Sequence, residues 1–125
     1  MGKFVGIACL SLCLLLSSCN LVGERLFQSA DKTIRYEISG TASSVKVEYK
    51  DSYGYMITRD DETLPWSESI TVKVREFETF SPSINVTNNG ETGYVTVDIW
   101  VDDELIKRES RNKTVSVSVQ VNYDE

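Results

Sequence analysis

From Thr33 onward, apolar and polar residues alternate with a period of two, the pattern of strands that bury one face and leave the other wet. Ile34, Tyr36 and Ile38 alternate with Thr33, Arg35 and Glu37, and Val45, Val47 and Tyr49 alternate with Lys46, Glu48 and Lys50. After an Asp51-Ser52-Tyr53-Gly54 turn, Tyr55 and Ile57 continue a shorter strand. Ile70, Val72 and Val74 form the next apolar row, Ile84 and Val86 mark a strand after Pro82, and Asn88-Asn89-Gly90 is a strong turn signal. In the clearest strand, Tyr94 to Val101, the residues Val95, Val97, Ile99 and Val101 share one face. Asp102-Asp103 then makes a tight turn into Glu104 to Ser110, and Val115, Val117, Val119 and Val121 form the last row. No segment carries a helical repeat. Roughly eight short strands in about 90 residues predict an all-β fold, a β-sandwich first and a small closed barrel as the alternative.

The first residues follow a different rule. Lys3 is a short basic leader, and Phe4 to Leu16 is an apolar run without charge. A bilayer span needs about 20 residues, so this run has instead the length of a secretory signal. Leu16-Ser17-Ser18-Cys19 closes it. That string resembles a bacterial lipobox, in which small residues precede the cysteine that receives a diacylglyceryl thioether. The expected organisation is a lipoprotein signal peptide over residues 1–18, a lipidated N-terminus and tether over 19–31, and the β-sandwich over 32–125. Two or three acyl chains on Cys19 would anchor the protein stably, where one would hold it only marginally. Asn20 follows the lipidated cysteine, which favours the outer membrane if the source is diderm.

Composition narrows the chemistry. Cys9 and Cys13 would leave with the signal peptide, so Cys19 would be the sole cysteine and no internal disulfide could form. Loss of Lys3 leaves 12 basic against 19 acidic residues, a net charge of −7. That balance, with no basic cluster, argues against nucleic acid and against anionic headgroups as partners of the domain surface. There is no histidine, which removes the common Ser-His-Asp and Cys-His arrangements and imidazole metal sites. Gly-rich phosphate loops are missing too. The expectation is a protein that is not an enzyme and uses neither cofactor nor metal. Asp60-Asp61-Glu62 and Asp102-Asp103-Glu104 read as solvated turn residues, because neither spaces its oxygens along a loop as calcium requires.

Three aromatic residues stand out as candidates for binding a partner: Trp66, Tyr94 and Trp100. Pro65 holds Leu64 extended and so steers Trp66, which reads either as a plug at the end of the sandwich or as a ligand-binding aromatic. Alternation puts Tyr94 and Trp100 opposite the Val95-Val97-Ile99-Val101 row, on an outer face. There they would either anchor a partner or pack over neighbouring Arg and Lys stems.

Several strings together carry a family resemblance: Tyr36-Glu37-Ile38-Ser39-Gly40-Thr41-Ala42, Val45-Lys46-Val47-Glu48-Tyr49, Leu64-Pro65-Trp66-Ser67, and Gly93-Tyr94-Val95-Thr96-Val97-Asp98-Ile99-Trp100-Val101-Asp102. Their order and spacing resemble the extracytoplasmic domain of the MmpS family, small membrane-tethered accessory proteins of mycobacterial transporters. The resemblance covers approximately Ile34 to Ser110. It implies an immunoglobulin-like β-sandwich of about 7–8 antiparallel strands and a role beside a large exporter. This chain has a lipobox where those proteins usually keep an uncleaved membrane helix, and Asp102-Asp103 where they typically have Asp-Gly. The functional expectation is a lipid-anchored envelope module that binds an envelope transporter or other envelope protein; a glycan-, lipid- or small-molecule-binding protein is the alternative.

Overall fold

The structure, a computed structural model, describes residues 28–124; Cys19 and the whole leader lie outside the described residues. Ten strands follow in order: β1 (Ser29–Gly40), β2 (Val45–Lys50), β3 (Met56–Glu62), β4 (Trp66–Arg75), β5 (Thr79–Phe80), β6 (Ser83–Asn88), β7 (Val95–Val101), β8 (Glu104–Arg111), β9 (Thr114–Ser118) and β10 (Val121–Asn122). Two four-stranded antiparallel sheets, β4-β1-β7-β8 and β3-β2-β6-β9, enclose one core, and the short pair β10-β5 joins them at one end. Two separate sheets make a sandwich and dispose of the closed-barrel alternative.

The apolar rows read from the sequence are the inner faces. Ile34, Tyr36 and Ile38 of β1, Val72 and Val74 of β4, and Val95, Val97 and Ile99 of β7 face Val45, Val47 and Tyr49 of β2, Ile84 and Val86 of β6, and Val115 and Val117 of β9. β1 is the long central strand: Ser29 to Ile38 pairs with β4, and Ile34 to Gly40 pairs with β7. Two buried polar residues break the rule, Asn88 at the end of the β6 row and Lys32 near the start of β1. Lys32 lies on the inner face opposite Val72, buried, with its ammonium 3.9 Å from the Asp102 carboxylate.

The connection from β1 to β2 depends on a close backbone approach. A Cβ on Gly40 would sit 2.3 Å from the Tyr94 carbonyl oxygen, and its φ is +130°. Glycine therefore lets that oxygen accept from the amides of Thr41 and Ala42, at 3.0 and 3.2 Å.

Several boundaries differ from the pattern. β1 begins at Ser29, three residues before the expected domain start at 32, because Ser29 to Asp31 pair with Lys73 to Arg75 although their side chains carry little apolar signal. Asp60, Asp61 and Glu62 are not a turn: they complete β3, an edge strand whose exposed face tolerates charge. Tyr55 precedes β3 and is exposed, so it adds nothing to the core. The last valine row is broken at Val119-Gln120, after which β10 leaves β9 and pairs with β5. Asp102-Asp103 is the tight turn expected, with both residues at positive φ (49° and 65°).

Candidate functional site

The outer face of the β4-β1-β7-β8 sheet carries Trp100, one of the three aromatic residues expected to bind a partner. Register brings its side chains into rows across the strands. One row runs Ser69, Arg35, Trp100, Leu105, the next Ser67, Glu37, Asp98, Arg108, and a third pairs Ser39 with Thr96 and Ser110. Trp100 lies on this face, opposite the core row, and is half-buried. The Arg35 guanidinium carbon sits 4.7 Å from its ring centroid, a cation–π contact. Trp100 therefore packs beneath the Arg35 side chain. The indole N–H is covered and makes no hydrogen bond among the described residues.

Arg35 is itself held by acids. Its Nη1 donates to Asp103 Oδ1 at 3.1 Å, and its Nε lies 3.5 Å from Glu37 Oε2 without making a hydrogen bond. Beside it, Arg108 grips Asp98 with two bonds, Nε to Oδ1 at 2.7 Å and Nη2 to Oδ2 at 2.9 Å. The hydrogen bond and charge of Asp98 raise the Arg108 pKa above its ordinary value. Asp98 is buried although it belongs to the outer face, because the Arg108 side chain covers it. Thr96 and Ser110 hydroxyls meet at 3.0 Å. The result is a sheet face of charged and hydroxyl side chains around one aromatic ring.

The three sequence candidates do not converge. Tyr94 lies just upstream of β7, 45% exposed, and six residues along an extended chain, about 20 Å, separate it from Trp100. Trp66 opens β4 opposite Ile38, on the inner face of the sheet, so the sheet itself lies between it and Trp100. Its ring packs on Tyr49, centroids 5.5 Å apart, and Tyr49 packs on Tyr36 at 5.6 Å. Trp66 thus closes the sandwich beside the edge strand, as the plug reading expects. Tyr36 anchors this stack by donating from its hydroxyl to the Lys50 carbonyl at 2.8 Å, and burial raises its phenol pKa far above the usual value.

Sequence reasoning did not single out Arg35, Asp98 or Arg108. The signal available was the alternation itself, which assigns Arg35 and Asp98 to the outer face, but their partners are set by strand pairing between distant segments. Two grooves lie elsewhere. One, of about 530 Å³, is lined by residues 76–79 and 122–124; the other, of about 90 Å³, lies between Val101, Ile106 and Val121. Neither is lined by a tryptophan. Among the described residues no group of acids and cysteines is arranged to hold a metal ion, and no helix is long and apolar enough to cross a membrane.

No curated protein matches the chain. The model of one family, described as Mycobacterium membrane protein, matches residues 18–122, most of the sequence and all of the paired strands. The chain therefore belongs to that family of membrane proteins, the MmpS family.

Proposed function

We propose that this protein is a lipid-anchored, non-enzymatic interaction module of the cell envelope, which docks through the outer face of the β4-β1-β7-β8 sheet onto another envelope protein. The observation that carries the reading is Trp100. It is a large aromatic residue placed outside a core that is already filled from both sheets, in a face of paired charges. Aromatic and arginine side chains are the residue types that dominate binding energy at protein interfaces. Membership of a membrane-protein family supports a partner within the envelope, and the resemblance to accessory proteins of transporters makes a transporter subunit the first candidate. Attachment comes through acyl chains on Cys19, and the acidic domain surface keeps it off anionic headgroups.

The ligand-binding alternative calls for a concave pocket holding Trp66 or Trp100, and neither groove described above has one. The test is crosslinking of the tagged, membrane-anchored protein in its native cells, with mass spectrometry of captured partners. A transporter or envelope subunit enriched over a Cys19→Ser control, and lost on Trp100→Ala, is the expected result. No enrichment over that control overturns docking.

A further inference from the structure

The end of the sandwich at which the described chain begins carries an aromatic side chain that the fold does not use. The Glu76 amide donates to the Gln28 carbonyl at 2.9 Å, and the Tyr123 hydroxyl donates to Gln28 Oε1 at 2.8 Å. The turn between β4 and β5 therefore sits directly beside the point where the tether arrives. The Glu78 amide closes that turn on the Arg75 carbonyl at 3.1 Å, which makes Phe77 its third residue, with φ +67°. A third turn position at positive φ ordinarily takes Gly or Asn, and a bulky residue there is an outlier. The Phe77 side chain is 100% exposed. Neither backbone conformation nor packing accounts for phenylalanine at this position.

We propose that Phe77 is a membrane wedge, seating its ring at the boundary of headgroups and acyl chains in the bilayer to which the protein is tethered. The inference rests on the lipid-anchor reading above. Eight residues lie between Cys19 and Gln28, and the nine steps that join the two reach at most about 30 Å, so this end of the sandwich cannot stand far from the surface. Tyr and Trp settle at that boundary, and an apolar Phe inserts just beneath the headgroups. Tyr53 and Tyr55, 85% and 71% exposed, sit on the β2–β3 turn, which strand direction places toward the same end. Glu76 and Glu78 flank Phe77, so the surface that fits is zwitterionic; anionic lipid repels the turn.

The experiment uses the mature lipidated chain in phosphatidylcholine vesicles with brominated acyl chains, comparing wild type with Phe77→Trp and, at the far end of the sandwich, Glu91→Trp. Trp66 and Trp100 act as internal references away from the bilayer. Phe77→Trp is expected to lose roughly a third of its emission, the share of one tryptophan in three, while wild type and Glu91→Trp lose little. Replacing part of the phosphatidylcholine with phosphatidylglycerol lowers the quenching at low salt, and added salt restores it. If the chain floats with the vesicles but Phe77→Trp is quenched no more than wild type, the wedge is wrong and the anchor stands. If wild type and Cys19→Ser alike stay in solution, the anchor reading fails and the wedge with it. If the Phe77→Trp emission is already blue-shifted without vesicles and unchanged by them, the chain's own residues 20–27 or a bound protein covers the ring, which also overturns the proposal.

Discussion

Arg35 lies across the indole of Trp100, its guanidinium carbon 4.7 Å from the ring centroid, while its Nη1 donates to Asp103 beyond the end of the same strand. The contact joins β1 to β7 and to the β7–β8 turn that directly follows it, segments far from β1 in the chain. It also fixes what a partner would meet on this face: a guanidinium lid over an aromatic ring, with a second arginine paired to Asp98 alongside.

Removing that lid has a readable consequence. Arg35→Ala is expected to uncover the indole, shifting Trp100 emission to the red and raising its quenching by acrylamide. The stability cost should be about 0.5–1 kcal/mol, the value of a partly exposed cation–π contact. Unchanged quenching would mean that the ring is covered by something other than Arg35.

Asn88 organises the opposite end of the sandwich. Its Nδ2 donates to the carbonyls of Thr92 and Asn112, at 2.9 and 3.0 Å, and its Oδ1 accepts from the Gly90 amide at 2.8 Å. The residue is buried and ties the β6–β7 loop to the β8–β9 turn. Asn88→Ala is expected to cost about 2 kcal/mol in urea denaturation, since the groups left behind must find water. Asn88→Asp should cost more, about 3 kcal/mol, because a carboxylate oxygen would then face two carbonyls.

Among the described residues Phe77, Asp102 and Asp103 hold positive φ at turn tips without being glycine, and Phe77 and Asp103 should respond differently to replacement. Phe77→Gly relieves the left-handed conformation and removes no contact, so a gain of about 0.5–1 kcal/mol is expected. Asp103→Gly relieves similar strain but loses the 3.1 Å pair with Arg35, and the two effects should nearly cancel. Thermal melts of the two variants separate them. A loss above about 1 kcal/mol for Phe77→Gly would show that the ring packs on the folded chain.

Tyr36 makes the fold sensitive to alkali. Its phenol is buried and held neutral well above the ordinary 10.0, whereas in the unfolded chain it ionises near that value. Above pH 10 the unfolded state therefore releases a proton that the fold retains, and stability falls as pH rises; below pH 10 Tyr36 contributes no slope. Melting temperatures measured from about pH 8 to about pH 11.5 should fall less steeply for Tyr36→Phe. At neutral pH that variant should lose about 1 kcal/mol with the hydrogen bond to Lys50. Parallel curves for the two proteins would exclude Tyr36 as the source.

The sequence by itself determined the strands and their inner faces, because a period of two is written into consecutive residues and needs no knowledge of neighbours: Val95, Val97 and Ile99 are buried where alternation puts them. The Asp102-Asp103 and Asn88-Asn89-Gly90 turns were legible for the same reason, as short-range backbone preferences. Tertiary structure decided everything that depends on which strand lies beside which. Pairing of β1 with both β4 and β7 brings Arg35 onto Trp100 and puts Trp66 on the opposite side of the sheet, so that the two tryptophans serve different surfaces. It also made Asp60 to Glu62 an edge strand and split the final valine row between two partners. Those outcomes follow from hydrogen-bonded registers between segments many residues apart, whose energies are shared across a whole sheet and are carried by no single stretch of chain.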